Sequence, residues 1–264
     1  MSQDKINFNN GANYEKLMGA WSELVGGVFL DWLDLPNKLE WLDVGCGNGD
    51  FTEMVIKRNS PEAISGMDPS AEQLSYARSR PGCELASFRL GNAINLPYSN
   101  NQFDVAVMAL SIFFVPEPAK GLSEMVRVVR PGGSVAAYAW DMLDNLYPLA
   151  PINQQLSAMG IQELLPPSLK ASKLVVLQNL WTQANLKSIK MDEFIVKKTF
   201  NNFEDYWSTA LLDSSIKTIF NSMTLGDQKL MINGVCKSLP IASNGQIIVN
   251  AKANAVRGQV SLSN

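Results

Sequence analysis

Short apolar segments alternate with amphipathic segments between residues 40 and 140, and this alternation constrains the fold more than any other feature of the chain. The segments "EWLDV" and "FDVAVMA" have the length and composition of buried strands, whereas "DFTEMVIKRN" and "KGLSEMVRVV" carry apolar residues at helical spacing. Strands that alternate with helices form parallel sheets with helices on both faces. We therefore predict an α/β fold with a mostly parallel sheet.

The rest of the chain predicts further helices and two more strands. Residues 14–35 place apolar side chains, among them Leu24 and Val28, at spacings of three and four, which predicts an amphipathic helix. Residues 141–182 are rich in Pro, Met and Leu and predict helical pieces that cover a pocket. Residues 203–240 predict two helical segments. The segments "KSIKMDEFIVKKTF" and "GQIIVNAKANAVRGQV" are typical of strands.

Charge and composition exclude several classes of protein. Lys and Arg total 22 against 25 Asp and Glu, without a run of like charges, so no basic face for nucleic acid is expected. The opening residues lack the apolar core of a secretory signal, and no apolar run is long enough to span a membrane. Three widely spaced cysteines predict neither a disulfide framework nor a zinc site, which favours a cytoplasmic location. The chain contains no histidine, so an imidazole base or a histidine metal ligand is excluded.

Three glycines at alternate positions, Gly45, Gly47 and Gly49, follow the first predicted strand. Such a turn exposes backbone N–H groups at the carboxyl edge of a parallel sheet, where nucleotide-like ligands bind. The dinucleotide fingerprint needs its third glycine one residue later, where this chain has Asp50, whose charge would repel a pyrophosphate. The loop therefore favours a ligand without phosphate.

Two acids flank the glycine loop in the predicted sheet. Asp68 lies at the end of the second strand, where it could accept hydrogen bonds from both ribose hydroxyls of a nucleoside. Asp43 lies at the end of the first strand, where a carboxylate could attract an ammonium or sulfonium charge. Alternatively, Asp68 is a turn acid before Pro69, and Asp43 orients the loop amides. The functional interpretation is a nucleoside that carries positive charge.

The segment from about Trp41 to Trp140 resembles the class I S-adenosylmethionine-dependent methyltransferases, in the branch similar to the small-molecule enzymes of ubiquinone and menaquinone biosynthesis. The matching motifs are "LDVGCGNG", "GMDPS", "GNAINLPYSNNQFD" and "EMVRVVRPGG". The resemblance implies a Rossmann-like, mostly parallel seven-stranded sheet with helices on both faces and a helical cover. It also implies S-adenosyl-L-methionine as cofactor.

The same resemblance implies which residues bind the cofactor. Asn92 stands where the family usually has an aspartate that accepts from the adenine amino group, and its side-chain oxygen can still accept one hydrogen bond. The N-terminal residues of the set resemble a segment that closes over the cofactor, although core packing explains them nearly as well. Cys46 is expected to be a neutral spacer and not a nucleophile. The full predicted set is Tyr14, Met18, Trp21, Asp43, Gly45, Cys46, Gly47, Asp68, Pro69, Asn92, Ala93, Ala109 and Ser111.

We predict a single methyltransferase domain over residues 1–264. Its parts are an N-terminal helical segment at 1–36, a cofactor-binding half at 37–140, and a helical cover that binds the substrate at 141–182 and 203–240. The apolar composition of the cover indicates a small, partly hydrophobic metabolite as methyl acceptor. The same apolar segments could equally form a homodimer interface.

No catalytic residue is assigned from the sequence. Without histidine, the acceptor is expected to be nucleophilic by itself, such as a carboxylate or amine, or to be served by a carboxylate or tyrosine of the cover. The candidates for that role are Asp141, Asp144, Tyr147 and Tyr206. Two other classes stay open at this point: a nicotinamide-dependent oxidoreductase on a similar sheet, and a non-catalytic protein that binds S-adenosylmethionine.

Overall fold

A seven-stranded sheet forms the centre of the computed structural model, which describes residues 15–161 and 165–262. Within these residues the strand order is β3-β2-β1-β4-β5-β7-β6. The strands are Glu40–Val44 (β1), Ala63–Asp68 (β2), Ala86–Leu90 (β3), Phe103–Ala109 (β4), Val129–Trp140 (β5), Lys187–Phe200 (β6) and Ile247–Gln259 (β7).

Most neighbouring strands run parallel. The pairs β1–β2, β1–β4, β2–β3 and β4–β5 are parallel, and β7 alone runs antiparallel to both of its neighbours, β5 and β6. The predicted mostly parallel sheet is therefore confirmed. The chain winds outward from β1 to β3 and then returns to place β4 on the other side of β1. This reversal opens a crevice at the carboxyl ends of β1 and β4, where sheets of this kind bind ligands.

Helices cover both faces of the sheet, as predicted. Successive residues of β4 enter different hydrophobic clusters: Val105 and Val107 pack on one face, and Ala106 and Met108 on the other. Both faces are thus buried, as parallel sheets require. The α-helices are Ala20–Leu33 (α1), Asp50–Asn59 (α2), Ala71–Ser79 (α3), Pro118–Val128 (α4), Ala150–Ala158 (α5), Leu174–Gln183 (α6), Phe203–Ala210 (α7), Ser214–Ser222 (α8) and Leu225–Ser238 (α9).

Helix α1 follows one π-helical turn, Glu15–Gly19, and differs in part from the predicted apolar face. Leu24 and Val28 are 41% and 42% exposed, whereas Val25 and Phe29 are fully buried. The prediction was wrong for Leu24 and Val28 because the buried stripe is narrower than the run of apolar residues. No helix in the described ranges is both long enough and apolar enough to cross a bilayer.

The segment 203–240 forms three helices, so the prediction of two was wrong. The first ends at Ala210, and Asp213 begins the second, because its side chain accepts hydrogen bonds from the N–H groups of Ser215 and Ile216. The Thr224 hydroxyl accepts from the N–H of Asp227 in the same way and begins the third. Each break is therefore set by an N-cap residue inside the apolar pattern.

Helix α6 belongs to the sheet and not to the cover predicted for residues 141–182. Its Leu177 and Trp181 are fully buried, and the Trp181 indole N–H donates to the carbonyl of Val135 in β5 at 3.0 Å. Above the other face, α5 packs against α9, with Ile152 of α5 and Met231 of α9 fully buried in one cluster. The described part of a cover is therefore the loop after β5 together with α5 and α7–α9.

Candidate functional site

The glycine loop joins β1 to α2 at the crevice, and each of its three glycines has a positive φ, of 78°, 51° and 84° in chain order. A Cβ on Gly45 would lie 2.6 Å from Cβ of Ser111, and one on Gly49 would lie 3.1 Å from Cβ of Ala77 in α3. A Cβ on Gly47 would meet no atom of the described residues within 4 Å. Gly45 and Gly49 therefore serve packing, whereas Gly47 faces open space that a ligand can enter.

Asp68 ties the glycine loop to the end of β2. One carboxylate oxygen accepts from the N–H of Gly47 and the other from the N–H of Ser70, both at 2.9 Å. The side chain is nearly buried, and burial raises its pKa, against the lowering effect of the two backbone N–H groups. Each oxygen can accept a second hydrogen bond, so the acid can be a turn acid and a ribose acceptor together.

Asp43 is a fully buried carboxylate beneath the loop. One oxygen accepts from the hydroxyl of Thr52 at 2.7 Å, and the other has no hydrogen-bond partner among the described residues. Burial raises the pKa of Asp43 to about 7, and repulsion from Asp68 and Asp50 adds to the rise, while the Thr52 hydrogen bond opposes it. A cation close by would favour the charged form of this acid.

Cys46 lies in the loop as a buried, free thiol. Its sulfur packs beside Gly66 of β2, where an added Cβ would lie only 2.9 Å away. Burial raises the pKa of Cys46 well above its ordinary value, so the thiol stays neutral at physiological pH. A neutral thiol packed against the neighbouring strand agrees with the expected spacer role.

Asp50 does not present an uncompensated charge at the start of α2. The guanidinium of Arg80 contacts Asp50 at 2.8 Å and Glu53 at 2.5 Å, with the Arg80 side chain only 9% exposed. Arg80 therefore weakens the repulsion that Asp50 would exert on a pyrophosphate. The spacing of the glycines, and not this charge, is what distinguishes the loop from a dinucleotide-binding turn.

Ser111 joins the carboxyl ends of β1 and β4. Its hydroxyl donates to the carbonyl of Val44 at 2.7 Å, and its Cβ occupies the space beside Gly45. Leu110, just before it, has a φ of 54°, which turns the chain sharply after Ala109. The predicted residue Ser111 thus lies against the glycine loop, and the predicted residue Ala109 is the last residue of β4, two positions before it.

Asn92 is exposed and makes a local turn. Its side-chain oxygen accepts from the N–H of Ile94 at 3.1 Å, so the acceptor expected to face an adenine amino group is already used once. A second lone pair of that oxygen stays available. Ala93 is buried against the core below, and Pro69 is exposed beside Asp68.

The N-terminal residues of the predicted site are part of the core. Met18 and Trp21 are 9% and 2% exposed, and the Trp21 ring packs edge-on against Trp140 at 6.4 Å between centroids. Tyr14 lies outside the described residues. Packing therefore accounts for Met18 and Trp21, and both lie in the same hydrophobic cluster as Trp140 at the end of β5.

The candidate acids of the cover are engaged in ion pairs. Asp141 is buried and contacts the ammonium of Lys252 at 2.8 Å, and exposed Asp144 pairs with Lys173. The Lys173 ammonium holds the pKa of Asp144 below its usual range. Tyr206 is 2% exposed, and burial raises the pKa of its hydroxyl strongly, so it stays protonated. None of these three groups is arranged as a general base at neutral pH.

Two residues near the predicted site were not found from the sequence. Thr52 fixes the orientation of Asp43, and Arg80 neutralises Asp50, although Arg80 is 30 residues away in the chain. A threonine in the first turn of a helix has no distinctive sequence pattern. An ion pair between residues 30 positions apart has no sequence pattern either.

Within the described ranges, no group of three or more metal-ligating side chains is placed to hold a metal ion.

A separate apolar groove with a volume of about 490 Å³ lies beside α6. It is formed mainly by the segment after β5, together with the start of α4. Its lining residues differ from those of the glycine loop and comprise Pro118, Leu143, Pro167, Ser168, Leu169, Lys170, Ala171, Val176 and Leu180.

Comparison with known proteins finds that part of the chain is similar to methyltransferases. Residues 42–137 match the family described as methyltransferase domain. A 2-methyl-6-phytyl-1,4-hydroquinone methyltransferase of rice is 37% identical over 116 residues, which are 44% of this chain and 33% of the relative. A demethylmenaquinone methyltransferase of Staphylococcus aureus is 31% identical over 127 residues, 47% of this chain and 51% of the relative. The chain thus spans between one third and one half of these relatives.

Solved structures share the fold across most of the chain. The YcgJ protein of Bacillus subtilis superposes with a TM-score of 0.58 at 16% identity, covering 90% of this chain and 98% of that one. A phosphoethanolamine N-methyltransferase of Haemonchus contortus in complex with S-adenosyl-L-methionine gives a TM-score of 0.56 at 14% identity, covering 95% and 56%. At these identities the likeness concerns the fold alone.

Proposed function

We propose that this chain belongs to the class I S-adenosylmethionine-dependent methyltransferases. On that premise, it transfers a methyl group from S-adenosylmethionine to a small, partly hydrophobic metabolite. The observation that carries the proposal is the open space beside Gly47, next to the carboxylate of Asp68. A ligand can approach the backbone there and donate hydroxyl groups to an acid at the same place. The alternative of a nicotinamide-dependent oxidoreductase has no comparable support.

The residues at the crevice fit the cofactor chemically. Asp68 would accept from the ribose hydroxyls, and Asp43, with one buried oxygen unpartnered, would stabilise positive charge on the methionine portion. Ala109 and Ser111 border the same loop, and Asn92 retains one lone pair for a donor such as an adenine amino group. When bound, S-adenosylmethionine supplies a methyl group that is already activated by its sulfonium. The protein then has mainly to position the acceptor and exclude water.

The acceptor is proposed to be small and partly apolar. Support comes from the buried hydrophobic side chains of α5 and α7–α9, which lie in one cluster with Trp21 and Trp140. The names of the two relatives specify a hydroquinone and a demethylmenaquinone, which favours an oxygenated aromatic acceptor here. Asp141 and Asp144 are held in ion pairs, so we expect methyl transfer without a protein carboxylate as base.

Replacing Asp68 by alanine should weaken S-adenosylmethionine binding by about 1–3 kcal/mol, because hydrogen bonds to the ligand and to the N–H of Gly47 are lost. Isothermal calorimetry measures the effect. Asp104→Ala is the matched control, since Asp104 also accepts a backbone N–H, from Glu40 at 2.8 Å, but at the opposite edge of the sheet. Equal affinity in Asp68→Ala and wild type would contradict this placement of the ribose.

The proposed activity is tested by incubating the protein with S-adenosylmethionine labelled in its methyl group and an extract of small metabolites. Mass spectrometry should find the label in an apolar metabolite, and protein that carries Gly47→Val should give none. Tight binding of S-adenosylhomocysteine without any labelled product would instead support a non-catalytic binding protein. Binding of NADH in preference to S-adenosylmethionine would support the oxidoreductase.

Location and assembly complete the proposal. All three cysteines are free thiols, which supports a reducing compartment such as the cytoplasm.

Apolar side chains at Leu143, Leu165 and Val175 are 39%, 60% and 60% exposed, which supports a homodimer through the segment after β5. Light scattering of the purified protein distinguishes a dimer from a monomer.

A further inference from the structure

Two buried hydrogen-bond donors lie in the hydrophobic cluster that covers one face of the sheet. The indole N–H of Trp140 and the hydroxyl of Tyr206 belong to side chains that are 4% and 2% exposed. Neither atom has a hydrogen-bond partner among the described residues. A buried donor left without an acceptor destabilises the folded state, so a fold that retains two of them in one cluster needs a reason.

The position of these donors separates them from other buried polar atoms. Trp140 ends β5 at the carboxyl edge of the sheet, next to β4, whose end carries Ser111. Tyr206 is in α7, which contacts the turn Glu15–Gly19. That turn leads into α1, whose Trp21 packs edge-on against Trp140. Trp140 and the helix that carries Tyr206 therefore both contact the N-terminal segment that contains Met18 and Trp21.

Other buried aromatic polar groups lie elsewhere. The unpartnered indole N–H of Trp41 is near the amino end of β1. The ring of Tyr98 packs edge-on against Phe103, the first residue of β4. These groups are at the opposite edge from the crevice. Location alone therefore distinguishes Trp140 and Tyr206, because the buried donors of Trp41 and Tyr98 also lack a partner among the described residues.

Both donors are neutral. Indole N–H only donates, and burial keeps the Tyr206 hydroxyl protonated, with the neighbouring Tyr147 adding to the effect. Two neutral donors in an apolar surrounding suit an uncharged or anionic oxygen and not an ammonium group. Around them are aliphatic and aromatic side chains such as Ile152 and Phe200, whose ring is 5.2 Å from that of Tyr206.

We propose that Trp140 and Tyr206 donate hydrogen bonds to an oxygen of the methyl acceptor and thereby select acceptors with a phenol, phenolate or carbonyl oxygen on an aromatic body. This inference rests on the proposed function, because it assigns the acceptor side of the same site. The two residues determine specificity and orientation, and they remove no proton. An acceptor that carries only an ammonium group at that position has no lone pair there, so it would leave both donors unpaired and would bind weakly.

The test compares two probes, 1-naphthol and naphthalene, which differ by one hydroxyl group. Binding is measured by fluorescence in the presence of S-adenosylhomocysteine for wild type, Trp140→Phe and Tyr206→Phe. We expect wild type to prefer 1-naphthol, and each variant to lose about 3–10-fold in affinity for 1-naphthol with little change for naphthalene. The affinity for S-adenosylhomocysteine should stay as in wild type.

Trp41→Phe and Tyr98→Phe are the matched controls, since each removes a buried donor of the same kind at the opposite edge of the sheet. They should leave the affinities for both probes unchanged. Tyr206→Phe removes an unpaired buried hydroxyl, so the melting temperature of the ligand-free variant should equal or exceed that of wild type. If the hydroxyl had a structural role, the variant would melt at a lower temperature.

The proposal is overturned if wild type binds 1-naphthol no more tightly than naphthalene, or if the control variants lose 1-naphthol affinity equally. A lower melting temperature for ligand-free Tyr206→Phe would also overturn it for that residue. Failure of the proposed function has a different signature, because wild type would then not bind S-adenosylhomocysteine, and both ideas would fall together.

Discussion

Replacing Gly47 by valine is expected to weaken S-adenosylmethionine binding by a factor of more than about 100, which corresponds to about 3 kcal/mol or more. The space where a Cβ would lie is open in the protein itself, because no atom of the described residues beyond the chain neighbours of Gly47 lies within 4 Å of that position. It would instead occupy the place of the ligand. Isothermal calorimetry with S-adenosylmethionine and S-adenosylhomocysteine measures the loss.

Backbone strain must be separated from this steric effect. Gly47 has a φ of 51°, where a β-branched residue costs about 1–3 kcal/mol. Gly245 offers a matched control, since it has a φ of 84°, has open space around its Cβ position and lies just before β7. Gly245→Val should lose similar stability in thermal unfolding and keep full cofactor affinity. Equal affinity in Gly47→Val and Gly245→Val would show that the ligand does not approach the backbone at Gly47.

Replacing Asp43 by asparagine is expected to stabilise the ligand-free protein at pH 8, by as much as about 4 kcal/mol. Asp43 has an ordinary pKa of 3.8, which burial raises to about 7 in the folded protein. Between these two values the folded protein holds a proton that the unfolded chain has lost. The stability contribution of Asp43 therefore falls as pH rises from about 4 to about 7, and asparagine has no such dependence.

The same substitution should weaken cofactor binding. Positive charge on the bound ligand favours the ionised form of Asp43, so wild-type affinity should increase as pH rises towards about 7 and then level off. Calorimetry from pH 5 to 8 should show this increase in wild type and a flatter curve in Asp43→Asn. The interpretation of Asp43 as a cation site is wrong if the two curves have the same slope.

Asp144→Asn provides a control of opposite sign for the stability measurement. The Lys173 ammonium lowers the pKa of Asp144, so its contribution to stability is present at neutral pH and is lost as pH falls. The stability that Asp144→Asn loses relative to wild type should therefore be larger at neutral pH than at low pH. Chemical denaturation at several pH values compares the two variants.

Local patterns predicted the elements whose limits are set locally. The helix expected over "DFTEMVIKRN" is observed as Asp50–Asn59, and the strand expected over "KSIKMDEFIVKKTF" as Lys187–Phe200. Ser70 caps α3, because its hydroxyl accepts from the N–H of Gln73. Glycines and cap residues mark such limits in the chain itself.

Other features depend on packing that a single segment does not reveal. An apolar stripe such as that of α6 is the same whether the helix lies on a sheet or over a pocket, so its place beside β5 was missed. The breaks at Asp213 and Thr224 were missed because acidic and hydroxyl residues also occur on exposed helix faces. In the candidate site, the glycines and both acids were predicted, whereas the partners of Asp43 and Asp50 come from spatial contacts.

The position of β7 has a consequence for how the protein is made. Among the described strands, β6 pairs only with β7, and β7 follows all the others in the sequence. During synthesis, the strand at residues 187–200 therefore has no strand to pair with until residues 247–259 have left the ribosome. Over that interval the edge of β6 is unpaired and exposed to other nascent chains. Aggregation during synthesis is therefore most expected at this end of the sheet.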